Sequence, residues 1–328
     1  MASASQRSQY FDNAKFILIF LVVFGHVISP LKRNDDLLFT FYTFIFLFHM
    51  PAFILISGYF AKGYRKKGYL RKIAKKVLLP YLIFQIIYSL FYYWSGQEDS
   101  LNVHLLRPHW TLWFLLSAFF WNVLLYLFAN LKWYGFALSI LMGVGIGYVE
   151  NAGSFLSISR TFVFFPYFLL GFLLKPEQLK RLIKAKFSLP IAIAIMTVTF
   201  IFFGTSFPKD SVSWLLGDTS YAGMGGEEWT DGLIRAFQYV STLLVIFSFM
   251  ALIPSGEFKL TVIGKRTLYV YLFHGFIIQL TKAFLSDDAI DAISGQYIVL
   301  FAFSLLICLL LGSYMIKKYT KPLVELRL

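Results

Sequence analysis

The sequence predicts an all-α integral membrane protein, a single bundle of about ten transmembrane helices with both termini cytoplasmic, and three observations carry that prediction. The 328 residues are 58% hydrophobic and 20% aromatic with only 14% charged, at a mean hydropathy of +0.68, which is too apolar for an ordinary soluble domain. Windows of about twenty residues pick out apolar spans near 14–30, 37–60, 70–93, 110–130, 133–149, 160–174, 187–203, 233–253, 267–284 and 295–316. The basic residues then alternate between loops: with the N-terminus inside, Arg7, Lys15, Lys132 and the clusters at 62–76, 175–186, 259–266 and 317–327 fall on the inner side. Only Lys32, Arg33, Arg107, Arg160, Lys209, Arg235 and Lys282 fall on the outer side or at helix ends facing it.

The same numbers exclude other classes. A net charge of +13 would suit nucleic acid only if it formed a patch on a soluble face, whereas here it punctuates apolar spans. The partner implied is the lipid bilayer of a cell membrane, crossed many times, and no nucleic acid is expected. Cys308 is the one cysteine, which removes an intrachain disulfide and any multi-cysteine metal site, so no metal is expected. The apolar stretch 16–24 resembles a signal peptide in length, but no small-x-small cleavage site follows and the span continues through His26 and Pro30, so it counts as the first helix.

That first span, DNAKFILIFLVVFGHVISP at 12–30, keeps Asp12 and Lys15 at its entrance and His26 near its exit. Eleven positions separate Lys15 from His26, about three helical turns, so the two share one face about 16 Å apart. Ionisable groups on a membrane helix are costly and usually face a protein interior or a watery cavity, which makes the stripe a candidate site. The plainer reading is a snorkelling lysine and a packing histidine.

The second span contains FHMPAFILISGY, with His49, Pro51 and Ser57; Pro51 frees a carbonyl and bends the helix. His49 alone reads as a packing histidine. The run YRKKGYLRKIAKKVLLP at 64–80 leads into the third span. On a regular helix, Arg71 with Lys75 and Lys72 with Lys76 are i, i+4 pairs that form two basic rows. Such rows suit phosphate, and equally suit anionic headgroups of the inner leaflet. The fourth span opens with HWTLWFLL, placing His109 at the outer interface.

The sixth span, SRTFVFFPYFLLGF, carries Arg160 at its outer end, free to meet an anion or to pair with Glu150. The outer connection 204–232 holds Asp210, Asp218, Glu227, Glu228 and Asp231 with Trp214, Tyr221 and Trp229. That composition suits hydroxyl-rich sugars or a plain re-entrant cap. The ninth span begins GKRTLYVYLFHGF, with Tyr271 and His274 inside it. No Walker A motif, zinc spacing or GxSxG elbow is present.

In this order and spacing the strings resemble the acyltransferase-3 family of membrane acyl-CoA:sugar O-acyltransferases, especially its fucose 4-O-acetylase-like branch. The similarity covers nearly the whole chain and makes 1–328 a single acyltransferase-3-like transmembrane domain. Its most specific element is a basic residue, ten intervening residues and a histidine on the first helix, here Lys15 and His26. FHMPAFILISGY, the basic run ending in LLPY, HWTLWFLL, SRTFVFFPYFLLGF and TLYVYLFH support it. Many relatives have arginine where this chain has Lys15, which keeps the charge and loses a bidentate fork. Larger relatives also append an extracytoplasmic esterase-like domain, whereas this chain ends soon after its last span; acceptor choice is then expected to reside in the bundle and its outer loops.

The resemblance implies transfer of an acyl group, usually acetyl, from cytoplasmic acyl-CoA to a hydroxyl of a sugar or glycan outside. Arg71, Lys72, Lys75 and Lys76 would hold the CoA phosphates. His26 would be general base, Lys15 would be partnered by Asp12, and Arg160 with His109 would stabilise the oxyanion. A secondary transporter is the competing class, since intramembrane Lys15, His26, His49 and His274 could relay protons; a polysaccharide-export or scaffold component is a third.

Overall fold

The computed structural model describes residues 9–153, 155–226, 228–284, 286, 289 and 292–325; Arg7, Glu227 and Arg327 lie outside them. Among the described residues there is no strand, and the chain is an all-α membrane protein. Seven helical stretches are long and apolar enough to cross a membrane, and an eighth if the bent pair Tyr297–Leu311 and Tyr314–Val324 is one span.

The chain divides into two compact units. The first comprises Met1–Phe53, Lys180–Ser206 and Leu244–Lys321; the second comprises Ile54–Leu179, Phe207–Leu243 and Pro322–Leu328. In the first unit, α1 (Gln9–Ile28), the start of α2 (Asp36–Tyr59) and several later helices share an aromatic core. In the second, the end of α2 is followed by the short helix α3 (Tyr69–Ile73), α4 (Leu79–Trp94), α5 (Trp113–Phe128), α6 (Lys132–Gly145) and α7 (Ile158–Leu173).

Between α3 and α4 the ladder widens to a π turn over Ala74–Leu78, where the Leu79 N–H donates to Ala74 O. Pro80 explains it: its missing N–H and its ring disturb the preceding turn, and a single π turn accommodates both. The regular α-helical phase assumed for the rows Arg71/Lys75 and Lys72/Lys76 is therefore corrected, because those pairs straddle the π turn.

The α5–α6 junction is a tight reversal. Lys132 has φ +50°, and a Cβ on Gly135 would stand 2.7 Å from Phe128 O, closer than seven residues of continuous helix allow. Gly135, Ser139, Gly143 and Gly147 then bury one face at four-residue spacing, and that small-residue stripe lets α6 lie against α7. A similar approach joins α2 to α7, where a Cβ on Gly58 would meet Phe168 O at 1.9 Å.

The remaining helices are α8 (Pro176–Ile183), α9 (Ser188–Thr205), α10 (Ser213–Leu216), α11 (Asp231–Leu252), α12 (Thr261–Gly264), α13 (Thr267–Phe284), α14 (Tyr297–Leu311) and α15 (Tyr314–Val324). In the first unit α1 packs on α12, α13 and α14. Gly264 is required there, since a Cβ would stand 1.8 Å from Asp12 O. Phe20 and Phe24 of α1 both meet Phe301 of α14, and Cys308 is buried on that helix. Phe41 and Phe44 of α2 pack on Phe200 of α9.

Candidate active site

The site is built outward from α1. Asp12 is fully buried, and Lys15, three residues on, donates to its Oδ1 at 2.6 Å with 17% of the lysine side chain exposed. The neighbouring Asn13 holds the end of the helix in place: its Nδ2 donates to Pro254 O and Gly256 O, and its Oδ1 accepts from Thr261. Sequence spacing anticipated the Asp12–Lys15 pair because i, i+3 neighbours on a helix meet without help from the rest of the fold.

At the other end of α1, His26 is partly open. Its ring meets His274 of α13 at 5.6 Å between centroids and Phe46 of α2 at 5.8 Å, edge on. Gly25 makes room, because a Cβ there would stand 2.9 Å from Phe46 Cε2. His49 lies on the other side of Phe46, with ring centroids 4.8 Å apart. The structure thus brings His26, His49 and His274 of the first unit together around Phe46 and the end of α1.

His49 and His274 are both buried, and each directs Nδ1 at backbone carbonyls: Ile45 O at 2.7 Å for His49, and Tyr271 O at 2.7 Å with Val270 O at 3.1 Å for His274. A carbonyl only accepts, so Nδ1 carries the proton in both rings, and in the neutral ring Nε2 is the lone-pair nitrogen.

Two lysines join this end. Lys32 stands 3.7 Å from the centre of the Tyr42 ring, and burial, with Arg33 and Lys282 adding repulsion, pushes its pKa down to about 8. Among the described residues, His274, His49, Lys282 and Lys32 act electrostatically on His26, and two of these four are cations. The sequence signal for the two lysines was their survival on the side where basic residues are scarce.

In the second unit, Arg160 donates to Asp218 Oδ2 at 2.5 Å and to Leu216 O at 3.2 Å, and lies 5.0 Å from the Trp113 ring. Its carboxylate partner is Asp218 rather than Glu150. Arg235, which the sequence left among the outer charges, is 2% exposed and donates to Trp214 O and Gln238 Oε1. Together the two arginines grip the loop at 214–218.

Trp214 is covered by Tyr221, which stacks at 5.2 Å, and by the Arg235 guanidinium at 5.3 Å. Tyr221 is itself buried, which leaves Trp229, 73% exposed, as the open ring of the three. His109 has Nε2 2.9 Å from Ser89 Oγ, and its backbone N–H donates to Gln85 Oε1. Burial pulls its pKa below the ordinary histidine value, against the opposing pull of Glu98. Arg71, Lys72 and Lys76 are exposed and Lys75 is half-buried. Among the described residues no cluster of three or more His, Cys, Asp or Glu could hold a metal ion.

Comparison with known proteins gives a consistent answer. The chain is similar to Nodulation protein NolL of Sinorhizobium fredii (strain NBRC 101917 / NGR234), 27% identical over 300 residues that cover 85% of this chain and 80% of the relative. It is 23% identical to Nodulation protein NolL of Mesorhizobium japonicum (strain LMG 29417 / CECT 9101 / MAFF 303099) over 297 residues, covering 85% and 79%. No solved structure matches it. The acyltransferase-3 family, described as an acyltransferase domain, matches residues 8–313, and by that match this multi-pass membrane protein belongs to the acyltransferase-3 family.

Proposed function

We propose that the protein moves an acyl group, acetyl first among them, from cytoplasmic acyl-CoA to a hydroxyl of an extracytoplasmic sugar or cell-surface glycan. The observation that supports this reading is His26, a partly open imidazole near the end of α1, set beside His274. An imidazole is suited to take a hydroxyl proton near neutral pH.

In the reaction, the acceptor oxygen attacks the thioester carbonyl while His26 takes its proton. The C–O bond forms and the carbonyl becomes a tetrahedral oxyanion. Collapse breaks the C–S bond, and His26 returns the proton to the departing sulfur, giving an ester and free CoA. The charge on the oxyanion is met by Lys32 and Lys282, the two cations that act on His26. Arg160 and His109, already engaged with Asp218 and Ser89, act in this reading by holding the outer segments in shape. Arg71, Lys72, Lys75 and Lys76 bind the CoA phosphates as point charges, and Asp12 with Lys15 fixes the opposite end of α1.

The test is the purified protein in lipid with labelled acetyl-CoA and a panel of cell-surface glycans, reading CoA release and label transfer together. His26→Ala should lower transfer by about 10²- to 10⁴-fold, the usual contribution of a positioned acid–base group, with membrane insertion intact. Near-normal transfer by His26→Ala would overturn the reading.

A further inference from the structure

A groove of about 370 Å³ opens in the first unit, where the start of α9 meets the end of α11. Its walls are helix faces: Ile191 and Ile195 stand one turn apart on α9, and Leu244, Phe247 and Ala251 follow at three- and four-residue spacing on α11. Two such apolar faces normally close on each other, yet here they leave a slot between them. The rest of α9 is little covered. Only 11% of its apolar window is buried, the lowest share among the seven long apolar stretches of the described residues, so the slot faces the bilayer.

Little on the walls is polar. Ser188 and Ser248 donate their hydroxyls to Ile183 O at 3.0 Å and Leu244 O at 2.8 Å, and the charged residue of the lining is Lys186. Lys186 is exposed, which places it at the rim, and it ends a basic cluster: Lys180, Arg181 and Lys184 are exposed as well, with no Asp or Glu anywhere from 180 to 206. An apolar slot under a group of cations matches a molecule that carries a hydrocarbon chain with a phosphate at its end. By the distribution of basic residues the cluster lies on the cytoplasmic side, where anionic lipid headgroups collect.

We propose that the groove between α9 and α11 binds an anionic phospholipid of the inner leaflet, with one acyl chain along Ile191, Ile195, Leu244 and Phe247 and the phosphate held by Lys186, with Lys184 and Arg181 beside it. Lysine meets phosphate as a point charge. The chain gains dispersion contacts with both walls, because inside a bilayer the removal of apolar surface from water gives no drive of its own. Headgroup charge therefore sets selectivity, and the fit of the slot sets retention. Bound there, the lipid fills the gap between α11 and the least covered span of the chain.

The experiment titrates the purified full chain with dioleoyl phosphatidylglycerol or dioleoyl phosphatidylcholine and counts bound lipids by native mass spectrometry. One phosphatidylglycerol molecule should be retained about tenfold or more tightly than phosphatidylcholine. Lys186→Gln should weaken that molecule about fivefold, the worth of one basic residue at an anionic surface, while Lys66→Gln, an exposed lysine of another basic cluster, should leave it within about twofold. Ala251→Trp fills the slot and should weaken retention by about tenfold or more.

Equal retention of the two lipids would overturn the proposal. So would equal effects of Lys186→Gln and Lys66→Gln, which would make the attraction a diffuse one; both lysines are exposed, so this comparison holds even if the tryptophan variant fails to assemble. A well-folded Ala251→Trp that retains phosphatidylglycerol like wild type removes the slot from the site. Two other occupants have their own signatures, and either one overturns the proposal: displacement of phosphatidylglycerol by an equal concentration of palmitoyl-CoA gives the slot to an acyl donor, and a dimer that Ala251→Trp converts to monomer gives it to a second copy of the chain.

Discussion

At the scale of single residues, local pairs were legible in the sequence and distant ones were not. Asp12 and Lys15 are three residues apart on one helix, so their meeting needs only helical geometry. Asp12 is fully buried and accepts from Lys15, so Lys15→Met removes that ion pair and should cost about 2–3 kcal/mol, somewhat under the range for a fully buried pair because the lysine is partly exposed; thermal or denaturant unfolding in detergent would measure it, and Lys15→Arg should retain most of the stability. His274 beside His26 and Asp218 beside Arg160 join residues far apart in the chain, and nothing in a string of residues selects Asp218 over Glu150.

Lys32 gives a prediction in pH. Its folded pKa of about 8 lies below the ordinary lysine value of 10.5, so between those values the unfolded chain holds more protons and stability rises with pH. Lys32→Met should flatten that rise. On the proposed role of Lys32 in meeting the oxyanion, activity should move the opposite way, falling above pH of about 8 as the Lys32 cation is lost, and Lys32→Arg should extend the plateau upward. A wild-type profile that is flat to pH of about 10 would remove Lys32 from the site.

At the scale of elements, apolar windows found the helices because each span is long against its period, while breaks inside spans depended on backbone chemistry. Pro51 was legible as a bend and lies inside α2, as Pro166 lies inside α7. Pro80 closes the basic run that leads into the third span, and its physical effect is to widen the preceding turn. Pro80→Ala should restore a regular ladder across 74–78 and rotate Lys75 and Lys76 relative to Arg71 and Lys72. The expected result is a higher donor KM with little change in kcat, matching the double neutralisation Lys72→Gln/Lys76→Gln. If neither protein changes donor KM, these residues serve lipid headgroups and topology.

The aromatic outer loop shows the same limit. Trp214, Tyr221 and Trp229 look alike in sequence, but two are taken up by internal packing and one is open.

At the scale of the whole molecule, composition was sufficient for an all-α membrane protein, since no arrangement of so apolar a chain could be soluble. The order of motifs was sufficient for the family, which the match over 8–313 supports. Thr267–Phe284, which carries His274, Gln279 and Lys282, is absent from the seven long apolar stretches among the described residues. The polar groups that make this helix interesting are the ones that lower its hydropathy, so function partly conceals span.

The burial of Cys308, the single thiol of the chain, has a practical consequence. The native protein is already a silent background for thiol-reactive probes, and new cysteines can be introduced one at a time without first deleting anything. A membrane-impermeant maleimide applied to intact cells should leave the unaltered chain unlabelled, label Asn102→Cys, and leave Ser255→Cys unlabelled until the cells are broken. The reverse pattern would invert the protein in its bilayer and place the imidazole cluster on the same side as the cell's acyl-CoA pool.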